Sequence, residues 1–308
     1  MVDGELCLHH SPLTTHHSPL TRALMTRIFV LGNAYRSGVK EEAERLLPYL
    51  EEHAEVVAVD LTQERDLSLL SADIALVLGG DGAILRAARQ MGYQQVPVLG
   101  INLGKLGFLA DLSPEELRTC FPLVIKGEYR VTRHLMFECI VEEAGKRRTI
   151  LGLNEVFVHT GPSFHSIDLD LAVDGETVTR FSGDGLILST PVGSTAHSLS
   201  AGGPILGQEL AAFVITPVSP HTLTSRPVVD SATKEYTINL MSDCAEAVLI
   251  VDGQEPLPLN TNQRVTVRQA PVTFGLVKVA GRSYYKTLRD KLRWGIPPHY
   301  RNEPEIKP

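Results

Sequence analysis

The run Gly79-Gly80-Asp81-Gly82, directly behind a stretch of strand length, constrains this chain more than any other segment. Residues 72–78 are apolar almost throughout, with no polar face, and read as a strand buried on both sides. Three glycines around one aspartate follow at once, and a helical pattern then runs to about Gln90. A strand that ends in glycines and reopens as a helix aims unsatisfied N–H groups at one spot, which suits phosphate. A carboxylate repels phosphate, so Asp81 needs a separate task. Either it caps the new helix, as Asp often does, or it orients an attacking hydroxyl and takes its proton in phosphoryl transfer.

The surrounding pattern predicts the architecture. Strands are expected at 28–31, 56–59 and 96–101, with a helix over 39–52. Ser113-Pro114-Glu115-Glu116 starts another helix, with Ser at the N-cap, Pro in the first turn and a Glu three residues on. Strand–helix alternation of this kind predicts a doubly wound, mostly parallel α/β sheet. Beyond Gly127 the texture changes to alternating stretches at 134–141, 149–159, 166–173 and 177–181, with Asp174-Gly175 as a hairpin turn signal. Further strands are expected at 213–216, 235–240, 247–251, 264–267 and 274–279, which together make a mainly antiparallel, β-rich part. Residues 284–294 alternate apolar and basic positions at helical spacing and predict a helix that returns to the body. The expected division is a leader over 1–24, an α/β domain over 25–128, a β-rich domain over 129–280, and a C-terminal helix with its tail over 281–308.

With 308 residues, 43% of them hydrophobic, the chain has enough material for two cores. Its 29 basic and 36 acidic residues leave a net charge of −7, which advertises neither a nucleic-acid nor a membrane-surface footprint. A phosphate site must therefore come from local backbone donors and a few placed cations. Apolar runs fall far short of a membrane span. Cys7, Cys120, Cys139 and Cys244 form no Cys-x-x-Cys pair, so reduced thiols in a cytoplasmic protein are expected, without a thiolate metal site. In the leader, His9-His10-Ser11-Pro12-Leu13-Thr14 recurs as His16-His17-Ser18-Pro19-Leu20-Thr21. A disordered segment preceding a working start at Met25 is expected there, a metal-binding His cluster being the other reading.

Two more blocks carry candidate chemistry. Gly100-Ile101-Asn102-Leu103-Gly104-Lys105-Leu106-Gly107-Phe108-Leu109 follows a strand end, where ligands collect in open α/β sheets. The second block is Gly183-Asp184-Gly185 and the segment from Ser189 to Pro204, which is dense in small residues and hydroxyls. It contains neither the Gly-Lys-Ser/Thr of a P-loop nor a Gly-x-Ser-x-Gly elbow.

Together these blocks resemble the NAD kinase family, in its bacterial ATP-dependent form, over nearly all of residues 26–294. Asn154-Glu155-Val156, Thr216-Pro217-Val218-Ser219-Pro220-His221, Arg226-Pro227, Asp252-Gly253-Gln254 and Leu292-Arg293-Trp294 extend the likeness. A bare Gly-Gly-Asp-Gly also fits lipid or sugar kinases, and a non-catalytic NAD(P)-binding sensor is the rival from another class. The resemblance implies transfer of the γ-phosphoryl group of ATP to the 2′-hydroxyl of the adenosine ribose of NAD, giving NADP and ADP. It implies Asp81 as general base, Gly80, Gly82 and Arg86 at phosphate, and Phe108 against the ligand. Asn154 and Glu155 would hold ribose hydroxyls or the adenine edge, with His165 as a nucleotide contact. Asp184, Thr195, Ala196, His197, Ser198, Leu199 and Ser200 match the stretch that receives the dinucleotide, partly from a neighbouring subunit, and Gln254 matches a base or amide contact. Mg²⁺ or another divalent metal would arrive on the ATP phosphates, with no protein metal ligands of its own. A homodimer or homotetramer is implied, and polyphosphate as donor is left open. Three positions depart from the family's pattern: His197 stands where Tyr is usual, Val192 replaces a usual Thr, and Ser182 lies where some members carry Arg.

Overall fold

A computed structural model describes residues 25–104, 107–110, 112–161, 165–242, 246–279 and 284–292. The leader with its His repeats, Cys7, Lys105, Cys244, Arg293, Trp294 and the tail lie outside the described residues. The chain opens with β1 (Arg27–Gly32), α1 (Val39–His53), β2 (Glu55–Asp60), β3 (Ile74–Leu78), α2 (Asp81–Met91), β4 (Val98–Ile101) and α3 (Pro114–Ile125). The four strands pair in parallel in the order β2-β1-β3-β4. Side chains of β3 alternate between two cores. Ile74, Leu76 and Leu78 pack with Leu46 and Leu50 of α1 and Phe121 of α3, whereas Ala75 and Val77 pack with Ile84 and Ala88 of α2. Helices thus cover both faces, which is why β3 is continuously apolar. α3 starts on the expected reciprocal cap: Ser113 Oγ accepts from Glu116 N–H, and the Glu116 carboxylate accepts from Ser113 N–H.

The β-rich part follows as β5 (Arg130–Glu143), β6 (Lys146–Gly152), β7 (Glu155–His159), β8 (Ile167–Val173), β9 (Glu176–Gly183) and β10 (Gly185–Ser189). A 3-10 turn (Gly193–Thr195) and the single-turn α4 (His197–Ser200) come next. The chain continues through β11 (Ala212–Val218), β12 (Val228–Ser231), β13 (Tyr236–Leu240), β14 (Val248–Val251), β15 (Leu257–Pro258), β16 (Arg264–Lys278) and α5 (Tyr284–Leu292). Among the described residues, one sheet runs β12-β11-β10-β7-β14-β15 and is antiparallel throughout. The other runs β2-β1-β3-β4-β16-β13-β8-β9, with β5 on β16 and β6 on β5. β16 meets β4 in parallel at Leu276 and Val98, so the parallel and antiparallel parts share one sheet. Phe137, Val158, Leu188, Phe213 and Tyr236 fill the core between the sheets of the β-rich part. Asp174 (φ 50°) and Gly175 (φ 84°) turn β8 into β9 with the left-handed backbone that a two-residue hairpin demands.

Two expected stretches differ in detail. Residues 149–159 were expected as one alternating run, but β6 and β7 lie in different sheets. The N–H groups of Leu153, Asn154 and Glu155 are taken by the carboxylate of Asp252, which diverts the backbone from one sheet to the other. Conversely, 264–267 and 274–279 are two ends of the single strand β16, whose register against β5 shifts between Gln269 and Thr273. Pro271 lies in that interval and has no N–H to give the ladder, which explains the slip.

Candidate active site

The C-terminal ends of β1, β3 and β4 and the turn after β14 open into one cleft of about 640 Å³. Its walls include Asn33 and Arg36 after β1, Gly79, Gly80, Gly82 and Arg86, Asn102 and Gly104, and Gly253 and Gln254. This is where an open α/β sheet collects ligands, because strand ends and helix starts leave unsatisfied N–H groups there. A Cβ at Gly80 or Gly82 would meet no protein atom within 4 Å, and neither has positive φ. Neither packing nor backbone strain demands glycine at these positions. What they leave is a bare helix start with open space beside it.

Asp81 occupies the first turn of α2, and the N-cap is Gly80, so the carboxylate does not cap its own helix. Instead it reaches across to the loop after β4. Oδ2 accepts from Phe108 N–H at 2.9 Å, and Oδ1 accepts from Leu109 N–H at 2.9 Å and Ala110 N–H at 3.3 Å. Gly107 makes this possible, since a Cβ there would collide with Asp81 Oδ1. A carboxylate offers about four acceptor positions, so about one remains on Oδ2 for a further donor. Phe108 is half-buried beside it, and Lys291 of α5 lies over its ring at 4.2 Å from the centroid. Such a cation–π contact contributes ~0.5–1 kcal/mol at an exposed site and ties the C-terminal helix to this loop.

A second carboxylate lies directly before the cleft-lining Gly253 and Gln254. Asp252, fully enclosed after β14, accepts from Leu153 N–H at 2.8 Å, Asn154 N–H at 2.7 Å and Glu155 N–H at 3.0 Å. Burial pushes its acid up to about 7 against the pull of those three donors. The clasp brings Asn154, Glu155 and Gln254 together. Among the described residues, Asn154 Oδ1, Glu155 Oε2 and Gln254 Oε1 are buried acceptor oxygens without a hydrogen-bond partner. Buried acceptors are costly when unpaired, and of these three residues Gln254 lines the cleft. Glu155 uses its other oxygen on His197, whose Nδ1 lies 2.8 Å from Oε1. That bond raises the imidazole above its ordinary value, partial burial opposing and the Glu155 charge assisting.

The other sequence candidates separate into two groups. Thr195, Ala196 and Leu199 are half-buried, while His197 and Ser200 are exposed on the 3-10 turn and α4. Ser198 is different: its hydroxyl is fully buried and pairs with Thr216 Oγ1 at 2.9 Å, so it braces α4 against β11. His165 and Asp184 are exposed, and neither side chain hydrogen-bonds to Asp81, Asn154 or Glu155. Ser182 donates to Asp168 within the β8–β9 hairpin, and Val192 is buried in the core beneath the turn. Sequence reasoning missed the clasping role of Asp252, the spacing role of Gly107, and Asn33, Arg36 and Asn102 on the cleft wall. The signal for Asp252 was an Asp-Gly pair at the end of an apolar strand.

The ATP-NAD kinase N-terminal domain model matches residues 9–129, and the ATP-NAD kinase C-terminal domain model matches residues 153–279. A curated NAD kinase of Rhodopirellula baltica is 46% identical over 269 residues, covering 87% of this chain and 86% of the relative. The chain belongs to the NAD kinase family. An NAD kinase of Geotalea daltonii is 39% identical over 268 residues, covering 84% of this chain and 94% of its own. Among solved structures, an Archaeoglobus fulgidus NAD kinase in complex with ATP superposes with a TM-score of 0.70 at 28% identity, covering 87% of this chain and 98% of that one. Yeast NADH kinase complexed with NADH shares the fold, with a TM-score of 0.82 at 24% identity over 92% of this chain and 91% of that one. The enzyme is accordingly a phosphotransferase with NAD kinase activity, built from an α/β part and a β-rich part. No helix among its described residues is long and apolar enough to cross a membrane.

Proposed function

We propose that Asp81 orients the 2′-hydroxyl of the adenosine ribose of NAD and receives its proton as the γ-phosphoryl group of ATP is transferred. The observation that carries this reading is the Asp81 clasp, which fixes the carboxylate of the residue between the cleft-lining Gly80 and Gly82 while leaving about one acceptor position on Oδ2. The 2′-oxygen bonds to the γ-phosphorus while the bond from that phosphorus to the β–γ bridging oxygen breaks. ADP leaves with the electron pair, and the hydroxyl proton passes to Asp81 and on to water. Little proton removal is needed early in a loose transition state, so holding the hydroxyl in line matters more than base strength.

The α/β part, residues 25–128, supplies the donor side. The bare helix start at Gly80 and Gly82 and the cation of Arg86 meet phosphate. The β-rich part, residues 129–280, supplies the acceptor side. The oxygens of Asn154, Glu155 and Gln254 accept from ribose hydroxyls and amide or amine groups, with Thr195, Ala196, His197, Leu199 and Ser200 beside them. The cleft's amide and hydroxyl oxygens, from Asn33, Asn102 and Ser37, suit a hard divalent cation such as Mg²⁺ held mainly by the ATP phosphates. Bound there, that cation would neutralise charge on the transferring group. Asp184, exposed at the β9–β10 corner, and His165 fit a contribution to a neighbouring copy's site in a homodimer or homotetramer.

Formation of NADP from ATP and NAD, with Glu155→Gln beside the unaltered enzyme, tests the arrangement. The variant should raise KM for NAD about tenfold, as expected for losing a hydrogen bond to a charged group. An unchanged KM would remove Glu155 from the acceptor site.

A further inference from the structure

Beyond the transfer reaction, the groove does not stop at the donor cleft. Arg86 and Gln254, which line that cleft, also line a second cavity of about 150 Å³ whose remaining walls include Arg89, Arg148, Glu255 and Leu257. Arg86 and Arg89 lie three residues apart on one face of α2, and Arg148 faces them from β6. Past it, Arg89 and Arg148 line a further hollow of about 280 Å³ with Tyr93. Among the described residues, none of the three arginines is in an ion pair within 4 Å. Three guanidinium groups face one wall carboxylate, Glu255, in a chain whose net charge is −7. Arg89 is the most enclosed of them. Burial lowers its affinity for its proton, the Asp252 charge opposes this, and Arg86 and Arg148 add like-charge repulsion. Like charges gathered without partners destabilise the folded chain unless something neutralises them.

We propose that Arg86, Arg89 and Arg148 form a second anion subsite that binds a multivalent phosphate oxyanion beside the donor cleft. Guanidinium forks match phosphate oxygens in pairs, and three arranged around one small cavity can surround such a group. The cavity is too small for a nucleoside, since sites for drug-sized ligands begin at about 300 Å³. The oxyanion can come from two sources: the far end of a phosphate chain whose near end lies along Gly80 and Gly82, or a free ion. The subsite stands on charge and geometry and does not depend on the role given to Asp81.

Inorganic pyrophosphate titrated calorimetrically into the full chain tests the proposal. Arg148 is exposed on a sheet edge, so Arg148→Gln should fold, with an unchanged melting temperature as the check. The expected result is saturable binding that weakens about tenfold in Arg148→Gln, the effect of losing one hydrogen bond to a charged group. Lys146→Gln removes the same charge from the same strand outside the cavity and should change affinity less than twofold. Repeating the titration with a non-hydrolysable ATP analogue bound separates the sources. Persisting Arg148-dependent binding identifies a free oxyanion, and abolished binding identifies the donor's phosphate chain. No pyrophosphate binding, equal affinity in Arg148→Gln, or equal losses in both variants would overturn the subsite.

Discussion

Asp81 and Asp252 each accept hydrogen bonds from three consecutive backbone N–H groups, Phe108 to Ala110 in one case and Leu153 to Glu155 in the other. Each follows a strand, fully buried before Asp81 and alternately buried before Asp252, and each is trailed by glycine. Their surroundings differ. Asp81 stays half-exposed on a helix start between two glycines that line the cleft. Asp252 is enclosed, and burial drives its acid up to about 7. The same bonding pattern therefore leaves one carboxylate open to solvent and seals the other. Solvent access makes the difference, because a carboxylate that no substrate can touch can only hold backbone.

The largest expected effect tests this division directly. Asp81→Asn keeps a similar shape but cannot take a proton, so kcat should fall by ~10²–10⁴-fold, the usual range for a general base, with little change in NAD affinity. Steady-state kinetics and NAD titration check it, and unchanged turnover would leave Asp81 as a mere loop clasp. Gly107→Ala should follow, because the added Cβ displaces the Asp81 carboxylate from its clasp. A misplacement of about 1 Å can cost ~10²-fold in kcat. Gly80→Ala sharpens the contrast. Its Cβ meets no protein atom, so the melting temperature should hold while KM for ATP rises about tenfold or more.

Asp252 yields a stability prediction instead. Its folded-state acid is raised above the ordinary 3.8, so its contribution is present below that value and is lost as pH rises toward about 7. Denaturant titrations should show stability falling across that window by up to on the order of 4 kcal/mol, with a flatter profile in Asp252→Asn. A rising profile from this residue would mean the three N–H donors outweigh burial. The smallest effect concerns His197. Its raised value means that the charged pair with Glu155 is complete below about 6.5 and fades as pH climbs through the folded value. KM for NAD should drift over that range by no more than a few-fold, and His197→Tyr should abolish the drift.

Much of this was legible beforehand because local chemistry dictated it. The apolar run of β3, the capping box of α3 and the Asp174-Gly175 turn each need only neighbours within a few residues, and each formed as the pattern predicted. The partners of Asp81 were not legible. A lone Gly-Asp-Gly allowed a cap or a base, and neither reading foresaw the bridge to Phe108–Ala110 some 27–29 residues away. Ser198 sat among ligand-facing candidates in the linear reading, but α4 is one turn long and rotates its hydroxyl toward Thr216. The break between β6 and β7 was hidden for the same reason, its cause lying 97–99 residues downstream in Asp252.

By itself, then, the order of residues determined which segments are strand, helix or turn, where glycines leave a helix start bare, and which family the chain joins. Those properties depend on periodicity, caps and backbone freedom, all of which act over short range. Only the tertiary structure decided which carboxylate stays half-exposed, which buried oxygens are left unpaired, and which three arginines share a cavity. Burial and charge proximity are properties of surfaces meeting in space. Two Asp-Gly pairs placed after strands therefore acquired different surroundings only when the fold closed around one of them.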